Sequence, residues 1–307
     1  MSTRYLPVSC FGKLPFWPEY LEANAGFTTS KLLKQWMHRG NEAAGLTEDD
    51  DSPRDVQVEA HLRLLIGSPG STELLAGVLR PSRDRGGRHF PFAVFTHFPR
   101  KLYGKHYHLL PLALAPVWEM LDDAWESLAA ADNRPGYEEM LGSIEVREPA
   151  PPGDVRGVYQ GLQRDAADRL FRRGDGASLE EMRGNLPAAL ERLRKGGNGR
   201  GVSLLLPVSA DLDEASFDAT FWIDLLNRQF FMRRFEPSVL LDEKQGVADR
   251  NLVFSFGRLD PEAYPAVMGL RDHGADVLRP VHGEGEAGTE GAGGLSYVQL
   301  LKERFSG

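Results

Sequence analysis

A single cysteine, Cys10, in a chain of 307 residues excludes an internal disulfide and any metal site built on paired thiols. Next to Phe11 it reads as a small core residue. Long apolar runs are also missing. The longest, Leu109 to Trp118, falls well short of the ~20 residues that a membrane-spanning helix needs. Residues 1–9 lack a basic stretch followed by an apolar one, so no secretory leader is expected and the chain is read as cytoplasmic. Excess positive charge is absent too. Against 44 acids stand 36 Lys and Arg, a net of −8, which argues against general attraction to nucleic acid or anionic lipid. Finally, the sharper catalytic signatures are not there. No glycine loop ends in Lys-Ser/Thr, and there is no Gly-x-Ser-x-Gly elbow and no His-Glu-x-x-His. Neither a cofactor nor a metal is expected, and no residue is assigned a catalytic role.

What is present is ordinary globular material, 41% hydrophobic and 26% charged, in a chain long enough to bury a large core. Pro7 to Pro15 reads as a short strand entering a turn, with Gly12 as a turn glycine. A helix is predicted from Ser30 to Arg39, with Ser30 as cap, Leu32, Leu33, Trp36 and Met37 as stripe, and Gly40 closing it. Leu46 to Asp55, with five acids and one Arg, reads as an exposed loop. Three strand-sized apolar runs follow at His61 to Ile66, Leu74 to Leu79 and Phe90 to Phe98. In the third, Phe90, Phe92 and Val94 point one way, and Ala93 and Phe95 the other. Such a strand is covered on both sides, which favours a layered α/β architecture, and Pro91 belongs at its start or on an edge. Pro111 to Ala131 is predicted helical on Leu114, Val117, Trp118, Leu121 and Trp125.

Residues 132–200 change character and read as a helical insertion, with helices over Val158 to Arg172 and Leu186 to Lys195. Strands return at Val202 to Pro207, Ser238 to Leu241 and Asn251 to Phe256, with a helix at Phe217 to Asn227 and a short last one from Pro261. The domain is bounded at 1–282. A Gly/Glu-rich linker occupies 283–294, and 295–307 regains helical periodicity.

Charge is locally concentrated. From Leu79 to His108 there are seven cations (Arg80, Arg83, Arg85, Arg88, Arg100, Lys101, Lys105) and one acid, Asp84, a net of +6. Arg forks match carboxylates and phosphates, so this segment is a candidate anion-recognising surface. The plainer reading is a strand-turn-strand whose arginines are solvated or pair with the acidic residues 48–51. In that reading Asp84 is a turn fastener bonded to its own backbone, with Gly86-Gly87 supplying positive φ. His106 and His108, with His97 upstream, read as a polar surface pair, since the sequence nominates no third metal ligand.

Two blocks in this region resemble those of the TagF/ImpM family of type VI secretion accessory proteins. One is Phe11-Gly12-Lys13-Leu14-Pro15. The other is a Pro-Ser-x-Asp-x-x-Gly-Arg-x-Phe-Pro pattern, matched by Pro81, Ser82, Asp84, Gly87, Arg88, Phe90 and Pro91. A weaker echo runs through Phe221-Trp222, the Asn251 to Phe256 strand and Asp260-Pro261-Glu262. The resemblance covers residues 8–130 and, more weakly, 200–272. It departs at the Gly-Asp-Phe element that usually follows the first block, where this chain has Phe16-Trp17-Pro18-Glu19-Tyr20. The resemblance implies a three-layer α/β sandwich, a mixed β-sheet with helices on both faces, here with the added helical insertion. It also implies non-catalytic, post-translational restraint of type VI secretion through binding a component of that machine, such as its forkhead-associated scaffold protein. The candidate contact residues are Lys13, Arg83, Asp84, Arg85 and Arg88. The alternative is an enzyme acting on a phosphorylated or acidic substrate, with Arg83, Arg85 and Arg88 holding the anion and Asp84 as acid or base.

Overall fold

The apolar runs become the middle of one large sheet. The computed structural model describes residues 4–46, 60–68, 70–172, 202–209, 211–230, 236–243, 250–256, 259–268 and 277–278. In chain order the strands are β1 (Tyr5–Pro7), β2 (Ser9–Gly12), β3 (Leu21–Ala23), β4 (Leu62–Ile66), β5 (Glu73–Arg80), β6 (Phe92–Pro99), β7 (Glu145–Arg147), β8 (Val202–Val208), β9 (Ser238–Asp242), β10 (Arg250–Phe256) and β11 (Val277–Leu278). The helices are α1 (Thr28–Ala43), α2 (Leu110–Ala129), α3 (Arg134–Ser143), α4 (Pro152–Arg172), α5 (Leu212–Phe230) and α6 (Tyr264–Val267). Nine strands pair in the order β11-β8-β10-β9-β4-β5-β6-β2-β3. Every neighbouring pair is antiparallel except β11 with β8, so the sheet is mixed.

Alternation along each strand feeds two separate cores, as a period-2 backbone requires. On β5, Leu74, Ala76 and Val78 join the core that holds Trp118 of α2 and Phe217, Phe221 and Trp222 of α5. Leu75 and Leu79 point the other way, into a core with Leu33, Trp36 and Met37 of α1 and Tyr264 of α6. Helices therefore cover both faces: the doubly apolar strands predict a layered α/β architecture, and it is the three-layer sandwich that the resemblance implies. The α2 stripe of Leu114, Val117, Trp118 and Leu121 is buried as its spacing predicts. Two indoles also tie α2 to the sheet backbone: Trp118 Nε1 donates to Leu64 O at 3.1 Å and Trp125 Nε1 to Phe92 O at 3.1 Å.

Several local expectations need correction. Helix α1 begins at Thr28 and runs through Gly40 to Ala43, so Ser30 sits inside its first turn and donates to Phe27 O at 3.2 Å. Gly40 does not end the helix. It makes room for the ring of Tyr264, whose Cγ would lie 2.1 Å from a Cβ placed there, and the positive φ falls later, at Gly45 (73°). Phe90 does not share a face with Phe92 and Val94, because Pro91 precedes the strand and breaks the alternation; Phe90 joins the α1-side core. Helix α5 starts five residues before Phe217, since Asp211 Oδ1 accepts from the N–H groups of Asp213 and Glu214 at 3.0 and 3.1 Å. The segment 132–200 is not purely helical: β7 pairs antiparallel with β1 as a two-stranded ribbon. The predicted helix at 186–195, the acidic residues 48–51 and the segments 283–294 and 295–307 lie outside the described residues.

Candidate functional site

The turn between β5 and β6 is built around a buried carboxylate. Asp84 Oδ1 accepts from the backbone N–H of Gly86 at 2.8 Å and of Arg88 at 3.0 Å. Its Oδ2 accepts from Lys13 Nζ at 3.2 Å and from Arg88 Nε at 2.7 Å. The side chains of Lys13 and Asp84 are only 3% and 0% exposed, so this ion pair is out of water. Burial alone would raise the pKa of Asp84. The Arg88 N–H, the Lys13 ammonium and the Arg88 guanidinium outweigh it and hold the carboxyl below the usual carboxylate range. The backbone closes the same turn, with Gly87 N donating to Asp84 O at 3.0 Å and Gly87 at a φ of +84°. Asp84 is thus the turn fastener that its own sequence context allows.

The two sequence blocks touch. Lys13 reaches across 71 positions to Asp84, and its ammonium also lies 4.8 Å from the centre of the Tyr20 ring. Gly12, read from sequence as a turn glycine, ends β2 at a φ of +140°, with Pro91 O just 2.2 Å from where a Cβ would stand. Only glycine fits that approach. The stretch that replaces the Gly-Asp-Phe element is joined to the turn as well. Arg85 N donates to Trp17 O at 3.3 Å, and Arg88 Nη2 donates to Pro18 O at 2.9 Å.

The structure therefore separates the five candidate residues. Lys13 and Asp84 lie beneath the surface. Arg88, with 43% of its side chain exposed, clasps the turn from outside. Arg83 and Arg85 are exposed, and their guanidinium groups make no hydrogen bond or ion pair among the described residues. The remaining positive charge of this stretch is dispersed. Arg100 pairs with Glu236 and donates to Ser68 O at 2.7 Å, and Arg80 is buried.

Arg80 belongs to a charge cluster that the sequence reading did not pick out. On the α2 side of the sheet, Arg63 of β4 and Arg80 of β5 meet Asp122 of α2 and Glu243, the residue after β9. Arg80 bridges both acids, and its Nη1 donates to Leu62 O at 3.1 Å. Arg63 pairs with Glu243 and lies 3.8 Å from Asp122. Desolvation lifts Asp122 to about 6, against the pull of Arg80 and Arg63. The signal was available: an arginine inside the apolar run 62–66, and another directly after the run 74–79, need buried counter-charges if both faces are covered.

The histidines do not converge. His106 and His108 have ring centres 6.3 Å apart near α4, whereas His97 packs on the opposite face of the sheet, against Phe27 and Phe95. Its Nε2 lies 3.2 Å from Ser30 Oγ. Burial pushes His97 down to about 4. The unfolded chain would take up a proton near the ordinary His value while the folded chain refuses it, so folding stability should fall as pH drops from 6.5 to 4. The loss from this one group is expected to be of order 2–3 kcal/mol. Urea unfolding at pH 7 and pH 4.5 should show wild type losing more than His97→Gln; equal losses would refute a buried neutral His97.

These features define a three-layer α/β domain whose motif residues close a strand-to-strand turn. The family model for the TagF N-terminal domain, described as type VI secretion system-associated, matches residues 9–141. Over that stretch, less than half of the chain, the match supports the resemblance to the TagF/ImpM family. No curated protein matches it. Among solved structures, it is similar to the crystal structure of PA0076 from Pseudomonas aeruginosa PAO1, at 24% identity and a TM-score of 0.36. That match covers 47% of this chain and 64% of the other. No described helix is long and apolar enough to cross a membrane.

Proposed function

We propose that this protein is a non-catalytic regulator of a type VI secretion system that works in the cytoplasm by binding another protein of that machine, and that it restrains secretion after translation. Its contact face is the turn bearing Arg83, Arg85 and the outer side of Arg88, held in shape by Lys13 and Asp84 beneath. The observation that carries this reading is the state of Asp84. Four donors already occupy its carboxylate, and it is held ionised and buried. A carboxylate so engaged is poorly placed to give or take a proton, which supports a binding role for the turn over Asp84 as an acid or base. The outward-facing groups are guanidiniums, which recognise anions without reacting with them. Within the family, the forkhead-associated scaffold protein is the first partner to test.

The experiment is affinity capture from secreting cells with the wild-type chain and with Arg83→Glu/Arg85→Glu. Wild type should recover a scaffold, baseplate or sheath component, and the charge-reversed variant should recover at least tenfold less at an unchanged melting temperature. Recovery of no secretion component by the wild-type chain would defeat the proposal.

A further inference from the structure

We infer that the contact face is bipartite and takes a carboxylate-rich peptide segment with apolar side chains, gripped by Arg83 and Arg85 on one side and by the Trp17 ring with Arg134 on the other. This deepens the proposed function and rests on it for biological context, but its chemistry is independently testable. Two hydrogen bonds fix the 16–20 stretch against the basic turn, one from the Arg85 backbone N to Trp17 O and one from the Arg88 side-chain Nη2 to Pro18 O. Trp17 is half-buried, and Arg134, the first residue of α3, lies over its ring at 4.9 Å from the centre. One guanidinium, that of Arg134, therefore covers the indole, and the basic turn is joined to the same stretch through the Arg85 backbone. Trp and Arg are the residue types that dominate binding hot spots, since each offers broad contact area together with directed hydrogen bonding.

Charge decides the occupant. The only acid of the turn, Asp84, is buried between Lys13 and Arg88, so it leaves Arg83 and Arg85 uncompensated. At the rim stand Glu19 and Asp132, which are exposed, and Glu138, which pairs with Arg134 at 2.8 Å. Against these three acids stand Arg83, Arg85, Arg88 and Arg134, so the face is positive on a chain whose net charge is −8. A long polyanion such as nucleic acid, or an anionic membrane, would meet that negative net charge over most of its contact. A short acidic segment meets only the positive face. Arg forks bind carboxylates in bidentate geometry, and Trp17 supplies the apolar platform for a neighbouring side chain.

The test is fluorescence anisotropy with the full chain and a short labelled peptide of alternating glutamate and leucine. The same peptide with glutamine, phosphatidylserine vesicles and a DNA duplex serve as comparisons. The glutamate peptide should bind with an affinity that weakens as salt rises. Arg83→Glu/Arg85→Glu should weaken it at least tenfold, and Trp17→Ala severalfold at a temperature where circular dichroism shows the variant folded. The glutamine peptide should bind far less. Equal binding of both peptides, indifference to Arg83→Glu/Arg85→Glu, or tighter binding of vesicles or DNA through the same arginines would overturn the inference. Its failure is separable from failure of the proposed function. Capture of a secretion component that depends on Arg83 and Arg85, without glutamate-peptide binding, would sink only the acidic-segment chemistry. Peptide binding without capture would sink only the secretion role.

Discussion

Asp84→Ala is expected to lower folding stability by about 3–5 kcal/mol, because it strips the counter-charge from a Lys13 ammonium that is only 3% exposed. Burial is what makes the effect large. An exposed Lys–Asp pair would be worth less than about 1 kcal/mol, but a charge left behind in a dry site keeps its full desolvation cost. Two backbone N–H groups lose their acceptor at the same time, and so does the Arg88 guanidinium. The informative comparison is the double variant Lys13→Met/Asp84→Asn. It removes both charges and keeps an oxygen acceptor for the turn, so it should recover most of the loss. Arg83→Glu/Arg85→Glu should stay within about 0.5 kcal/mol of wild type, since neither guanidinium has an internal partner among the described residues. Chemical denaturation of the four proteins decides the matter. A loss below about 1 kcal/mol for Asp84→Ala, or no recovery in the double variant, would show that the buried pair does not hold the turn.

The second large effect belongs to Glu243. It answers Arg63 and Arg80 together, and its own N–H donates to His61 O at 2.7 Å. Glu243→Ala would leave two buried guanidiniums facing Asp122 alone, so the expected cost is again about 3–5 kcal/mol. Glu243→Ala/Arg63→Met should be more stable than Glu243→Ala, because the second substitution restores charge balance and fills the site with an apolar side chain. If the double variant is the weaker protein, the Arg63 stem contributes more through its contact with Trp118, whose ring centre lies 5.7 Å from the guanidinium carbon.

Much of the fold was legible because burial on both faces leaves a plain mark. Leu74 to Leu79 and Phe92 to Phe98 are apolar at nearly every position, and α2 repeats its large side chains at helical spacing. Boundaries set by contacts distant in sequence were not legible. Nothing near Gly40 announces that Tyr264, more than two hundred positions on, will fill the space that a side chain would need. The three-residue ribbon of β1 and β7 carries no alternation long enough to detect. At the candidate site, sequence chemistry identified the right turn and Asp84's attachment to its own backbone. It did not reveal that Lys13 and Asp84 satisfy each other, because nothing in the sequence announces the pairing of β2 with β6 that draws the two blocks together. Arg80 shows the reverse error: counted with the basic turn, it is buried one strand end away and faces the other half of the sheet.

The junction of β4 with β9 has a practical consequence for anyone dissecting this molecule. The matched stretch 9–141 supplies β4, but β4's outer neighbour comes from beyond residue 200. A fragment trimmed to the family boundary would uncover a five-residue strand margin that ordinarily hydrogen-bonds to β9, together with two guanidiniums lacking the acid that neutralises them. Naked margins of this kind recruit other chains. Oligomers or precipitates of such a fragment would then report the cut, and assigning them to the native protein would mistake an artefact of trimming for its biology.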